Sequence, residues 1–156
     1  MADTLTEGTK APKFTLPDAN GVEVSLADFK GKALVIYFYP KADTPGCTTE
    51  AIDFSRLSKS FAKAGVAVLG VSADPVKKLC RFRDKHDLTV RLLSDENHTM
   101  LEAYGVWGEK KLYGRTFMGV KRTTVLVGPD GRIARVWQNV KVSGHAEEVL
   151  AAAKAL

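Results

Sequence analysis

Hydrophobic positions along this chain fall into short unbroken runs separated by amphipathic stretches, the pattern of buried strands alternating with helices. Residues 34–39 (Leu-Val-Ile-Tyr-Phe-Tyr) and 66–71 (Val-Ala-Val-Leu-Gly-Val) are apolar almost throughout, as strands covered on both faces must be. Between them Ile52, Phe54, Leu57 and Phe61 include spacings of three and four. That predicts a helix from Thr44 to about Ala64, stopped by Gly65. Ser72-Ala73-Asp74-Pro75 opens a second helix, with Asp74 as N-cap and Pro75 in the first turn. Residues 90–93 read as a short strand and 98–104 as a short helix ended by Gly105. Two hairpins frame the pattern. Residues 14–16 and 22–24 flank Asp18-Ala19-Asn20-Gly21, and residues 123–127 and 132–137 flank Pro129-Asp130-Gly131. A last helix puts Val149, Leu150, Ala153 and Leu156 on one face.

Strand, helix, strand, helix, hairpin and closing helix make an α/β sandwich: a central mixed sheet flanked by helices, with an N-terminal β-hairpin. The order fits a thioredoxin-like fold. At 156 residues and 45% hydrophobic composition, the chain is expected to form one domain, residues 1–156, with a real core. No apolar stretch approaches membrane-spanning length, and the N-terminus has no apolar core of a signal peptide. A cytoplasmic protein with no membrane partner is expected. The net charge is +5, and the excess is densest in Lys110, Lys111, Arg115, Lys121 and Arg122. Tyr113 and Phe117 could add stacking for nucleic acid, but no recognition motif accompanies them. A solvated basic loop is the better reading.

Candidate chemistry gathers at Cys47. It lies in Pro40-Lys41-Ala42-Asp43-Thr44-Pro45-Gly46-Cys47-Thr48-Thr49-Glu50, directly after the first apolar run. Thr44 suits an N-cap and Pro45 the first helical position. The thiol would then sit beside unpaired backbone N–H groups at the positive end of a helix dipole, where the nucleophilic thiolate is favoured. Free cysteines are usually small buried hydrophobes, yet the neighbours here belong to a turn. Two cysteines and three scattered histidines (His86, His98, His145) are too few for a zinc site, and no metal or cofactor is expected. A Cys-His hydrolase would want a histidine near Cys47, and a disulfide oxidoreductase would want a second cysteine where Thr44 stands. Glu50 could anchor an arginine, but an acid in the first helical turn is already explained by the dipole, and it stays outside the candidate set.

With these residues placed, the chain resembles a peroxiredoxin of the bacterioferritin comigratory protein, or peroxiredoxin Q, branch. The likeness runs from residue 8 to the final helix. Its core is the pattern P-x-x-x-T-x-x-C, met by Pro40, Thr44 and Cys47, with Arg122 ahead of the next strand. The resemblance implies a thiol-dependent peroxidase. Cys47 attacks the terminal oxygen of a hydroperoxide and becomes a sulfenic acid. Arg122 supplies the cation, Thr44 hydrogen-bonds the peroxide oxygens, and Pro40 shields the sulfur. Many members carry a resolving cysteine five residues after the first, where this chain has Ile52. Others carry it on the next helix, where Arg83 stands here. Cys80 lies one turn earlier, roughly on the same face. It is the expected resolver, unless it packs in the core beside Leu79 and Phe82 and an external thiol completes a one-cysteine cycle. Thioredoxin or a similar dithiol is the implied reductant, and a monomer is expected.

Overall fold

The computed structural model describes residues 5–156. A first hairpin pairs β1 (Thr15–Pro17) with β2 (Glu23–Ser25), and a 3-10 turn at Leu26–Phe29 leads into β3 (Ala33–Phe38). There follow α1 (Pro45–Arg56), α2 (Ser58–Lys63), β4 (Val66–Ser72), α3 (Val76–His86), β5 (Arg91–Ser94) and α4 (Thr99–Ala103). The chain closes with β6 (Trp107–Leu112), β7 (Arg115–Val120), β8 (Thr123–Val127), β9 (Ile133–Trp137) and α5 (His145–Lys154).

The five-stranded sheet runs β5-β4-β3-β8-β9. The β3–β4 and β4–β5 pairs are parallel, and β8 and β9 join antiparallel. Every residue of β3 is buried, as its unbroken apolar sequence requires. Period-two alternation sends Val35, Tyr37 and Tyr39 to one face, against α1, α2, α3 and α5. Leu34, Ile36 and Phe38 go to the other, against the N-terminal hairpin and α4. Tyr37 lies flat on Phe54 of α1, ring centroids 4.6 Å apart. Its ring also covers Gly70 of β4, where an added Cβ would fall 2.6 Å from it. No helix among the described residues is long and apolar enough to cross a membrane.

The structure departs from the sequence reading at four places. The helix expected from Thr44 to Ala64 is broken at Leu57 into α1 and α2. Its cause is the 89–90 segment, which plugs into the helix at Ser55. Thr89 and Val90 donate their N–H groups to Ser55 Oγ, and Thr89 Oγ1 donates to the Ser55 carbonyl. Asp74 is not an N-cap; that place falls to Pro75, and Asp74 is buried with another task. Leu156 lies past the end of α5 and is exposed, while Val149, Leu150 and Ala153 are buried. The basic segment expected as a loop is the β6–β7 hairpin, a two-stranded sheet of its own. Gly108, Gly119 and its many polar positions hide that alternation in the sequence.

Candidate active site

Pro40 ends β3 because it has no N–H for the ladder, and the chain crosses the C-terminal ends of β3 and β4 before entering α1. Two acids tie this crossing down. Buried Asp74 accepts the Ala42 N–H at 2.7 Å and the Ser72 hydroxyl at 2.8 Å through Oδ2, with Lys78 Nζ 3.4 Å from Oδ1. Asp43, in the left-handed region at φ 63°, reaches from the crossing to the last turn of α3. There it meets Lys85 Nζ and His86 Nε2, each at 2.9 Å, and these two partners hold its carboxyl below the usual range.

Thr44 takes the N-cap position of α1, with extended backbone and Pro45 at N1. Its side chain does not cap, contrary to expectation: Thr44 Oγ1 donates to the Lys41 carbonyl at 2.8 Å. The hydroxyl therefore keeps its lone pairs for an incoming donor. The first helical bond is Thr48 N–H to the Thr44 carbonyl at 2.8 Å. Cys47, at N3, precedes it, so its own N–H is among those with no intrahelical acceptor. The sulfur is buried against the core cluster of Tyr37, Tyr39 and Phe54.

Arg122 lies on the link between β7 and β8, just before the strand that neighbours β3. Its backbone is fixed by Val140 N–H to the Arg122 carbonyl at 3.1 Å. Nη2 donates to Cys47 Sγ at 3.3 Å, and Nη1 donates to Glu50 Oε1 at 2.5 Å. Gly46 leaves room for this approach, since a Cβ there would lie 3.3 Å from Nη2. A cation whose N–H points at a sulfur has the geometry of a charge-assisted bond to a thiolate.

Glu50 is the anchor of Arg122 that the sequence reading set aside. It lies in the second turn of α1, buried, where the dipole no longer accounts for it. Oε2 has no hydrogen-bond partner among the described residues. Burial pushes its pKa from 4.5 up to about 7, against the pull of the Arg122 charge and hydrogen bond. Arg122 moves up as well: Glu50 and Cys47 hold its proton, outweighing its own loss of water. The signal in the sequence was an acid spaced i+3 from Cys47, on the side of the helix that faces the sheet.

Cys80 is half-buried on α3, whereas its neighbours Leu79 and Phe82 are buried, so it is not a core residue. Both cysteines are free thiols. The hydrogen-bond partners of Cys80 Sγ come from its own helix: Arg83 Nη2 donates at 3.4 Å, and Asp84 Oδ2 lies at 3.7 Å. Of the other four sequence candidates, Cys47 meets Arg122, while Pro40 and Thr44 lie on the crossing that leads into α1. Cys80 lies on α3. His145, buried at the start of α5 with Nε2 2.8 Å from Thr124 Oγ1, is packed against Phe54 and Trp137. Burial lowers its pKa, so it serves the core as a neutral ring.

Comparison with known proteins bears on this arrangement. The model of the AhpC/TSA family matches residues 8–136. A putative peroxiredoxin of Mycobacterium tuberculosis is 51% identical over 141 residues, covering 90% of each chain. Peroxiredoxin Bcp of Escherichia coli K12 is 47% identical over 146 residues, covering 94% of each. Among solved structures, a cysteine mutant of Xylella fastidiosa PrxQ superposes with a TM-score of 0.93 at 38% identity, covering 98% of both chains. Xanthomonas campestris peroxiredoxin Q gives 0.87 at 44% identity, covering 91% of this chain and 90% of that one. This chain belongs to the AhpC/TSA family, among its Bcp/peroxiredoxin Q members, and is a thiol-dependent peroxidase that takes a hydroperoxide substrate and a thiol reductant.

Proposed function

We propose that Cys47 is the peroxidatic nucleophile and that Arg122, Thr44 and Pro40 complete its site. The observation that carries this reading is the Arg122 Nη2 contact on Cys47 Sγ at 3.3 Å, at a helix start with unpaired N–H groups. The thiolate attacks the terminal oxygen of the hydroperoxide, the O–O bond breaks, and the leaving oxygen departs as an alcohol or water after taking a proton. Cys47 is left as a sulfenic acid. Arg122 and the N–H groups of α1 offer donors where negative charge moves from sulfur to oxygen. The Thr44 hydroxyl accepts a hydrogen bond from the peroxide O–H, and Pro40 keeps bulk water from the sulfur.

Cys80 then resolves the sulfenic acid. Its thiolate displaces hydroxide from Cys47 sulfur, giving a Cys47–Cys80 disulfide that thioredoxin or a similar dithiol reduces. Bridging needs Cα atoms within about 7 Å, so the first turn of α1 and part of α3 must unwind. The chain acts as a single domain and a monomer in the cytoplasm. A one-cysteine cycle is the second reading, favoured by the contacts that keep the Cys80 sulfur on its own helix. Peroxide consumption by wild type, Cys47→Ser and Cys80→Ser with thioredoxin tests both. Cys47→Ser should lose turnover while keeping its fold. One equivalent of peroxide should give the crosslinked peptides, and Cys80→Ser should stall as sulfenic acid. Normal turnover of Cys80→Ser with thioredoxin would establish the one-cysteine cycle.

A further inference from the structure

Exposed large apolar side chains are few among the described residues, and four of the seven belong to the β6–β7 hairpin. Leu112 is 56% exposed, Tyr113 94%, Phe117 44% and Met118 51%. Lys110, Lys111 and Arg115 stand among them, with Lys121 at the foot and Glu109 the only acid. None of these charges is in an ion pair among the described residues. A two-stranded sheet gains little stability from its own pairing, and here it spends its apolar side chains on solvent.

The hairpin tip carries a further signal. Leu112 pairs with Arg115, leaving Tyr113-Gly114 as a two-residue loop with φ of 52° and 76°. Positive φ at both positions defines a type I′ turn, which favours Asn-Gly. A bulky aromatic at positive φ is a true outlier, and the Tyr113 ring offsets that cost with no packing inside the chain. Strain kept at an exposed position points to a role outside the fold.

The arm leads to Cys47 through Arg122. Strand β7 runs into Arg122, and Lys110, whose Nζ donates to the Val120 carbonyl at 2.9 Å, lies within the electrostatic reach of Arg122 and Cys47. A protein reductant must present its thiol at this end of the molecule. Aromatic residues, Met and Arg are the types enriched in the cores of protein interfaces, and unpaired cations call for an acidic counterpart. We propose that the β6–β7 hairpin is the docking arm for an acidic protein thiol reductant, with Tyr113 as anchor and Lys111, Arg115 and Lys121 steering the approach. The proposal rests on the recycling reading above. In that step the reductant's thiolate attacks one sulfur of the Cys47–Cys80 disulfide and expels the other as thiolate. Its second thiol then breaks the mixed disulfide, leaving the reductant oxidised and both cysteines reduced. The aliphatic Leu112 and Met118, and the lead to Cys47 through Arg122, favour a protein over nucleic acid.

The test uses full-length Tyr113→Asn and Lys111→Glu/Arg115→Glu, assayed with an acidic thioredoxin, its reductase and NADPH, and in parallel with dithiothreitol. Tyr113→Asn should hold or raise Tm, because Asn-Gly suits the turn. It should keep the dithiothreitol-supported rate and the rate of Cys47 oxidation, yet lose about 10-fold in kcat/KM for thioredoxin. The charge reversal should lose as much at low salt and flatten the salt dependence seen in wild type. Unchanged kcat/KM for thioredoxin in both variants overturns the proposal, as does an equal loss with dithiothreitol. Turnover with dithiothreitol but none with thioredoxin refutes the recycling reading and the arm with it. Oligonucleotide binding lost in the charge reversal, with thioredoxin turnover intact, would reassign the arm to nucleic acid.

Discussion

Glu50 is a carboxyl that folding makes harder to ionise, and its replacement by glutamine has a calculable signature. Its pKa rises from 4.5 to about 7 because burial outweighs the Arg122 charge. Between those values the folded state holds a proton that the unfolded chain has released. Stability therefore falls as pH rises through this window, by roughly 1.4 kcal/mol per pH unit. Over the interval the loss amounts to about 3 kcal/mol. Little of it is screened, because the side chain is almost fully buried. Arg122 stays charged throughout and adds no slope of its own. Glu50→Gln keeps the shape and removes the titration. Urea unfolding from pH 4 to 8 should give nearly equal stabilities below pH 4.5. The wild type should then fall behind the variant by about 3 kcal/mol by pH 7 and run parallel above it. Taking the difference cancels every other titrating group. Parallel curves across the whole range would mean that Arg122 pairing fully compensates burial, and the reasoning would fail.

Arg122→Ala should lower the second-order rate of Cys47 oxidation by about 10²-fold, the usual loss for one electrostatic stabiliser of transition-state charge; stopped-flow fluorescence reads it, and an unchanged rate makes Arg122 structural. Gly70→Ala should cost about 1–3 kcal/mol in urea unfolding, because the new methyl would meet the Tyr37 ring and Phe54 blocks its retreat. A neutral result would mean that the Tyr37–Phe54 stack can slide. Asp43→Asn should loosen the tie to Lys85 and His86, speed disulfide formation and raise several-fold the peroxide needed to over-oxidise Cys47. Mass spectrometry of sulfinic acid against peroxide dose tests this, and an unshifted dose curve would show that the tie does not limit opening.

The sheet and its helices were legible in the sequence because each strand of the centre is apolar on both faces. Residues 34–39 and 66–71 allow no other reading at that length. The motif around Cys47 was legible because Pro40, Thr44, Pro45 and Cys47 are local to one turn. What sequence could not supply were encounters across distance. The break at Leu57 comes from Thr89 and Val90, more than thirty residues away. Asp74 looked like a cap beside Pro75, but its oxygens were claimed by Ala42 and Ser72 across the sheet end. Glu50 as an anchor for the arginine was set aside because an acid near a helix start already suits the dipole, and only the fold brings Arg122 to it. The β6–β7 hairpin escaped because periodicity shows strands through the side chains they bury, and this one buries few.

The same geometry that shelters Cys47 also sets where the site can open. Cys47 stands before the first helical hydrogen bond, in a turn whose N1 residue has no N–H and whose N2 residue is glycine. Swinging it out breaks the Arg122 Nη2 contact on Cys47 Sγ, the Thr48 N–H bond to the Thr44 carbonyl with the helical bonds that follow it, and the 3.1 Å contact of Thr49 Oγ1 on the Pro45 carbonyl. Beyond that point the helix is anchored by Glu50 on Arg122 and by buried Ala51 and Phe54. Unwinding that stops at Glu50 therefore spares the Arg122–Glu50 pair and leaves the arginine in place for the return. The two ties on the crossing divide in the same way. Asp74 holds Ala42 from a buried position, where the bond is strong and costly to break. Asp43 holds on from the surface, where water competes for both partners. An opening that releases Asp43 and spares Asp74 frees residues 43–49 alone, which is the segment that must move if Cys47 is to reach α3.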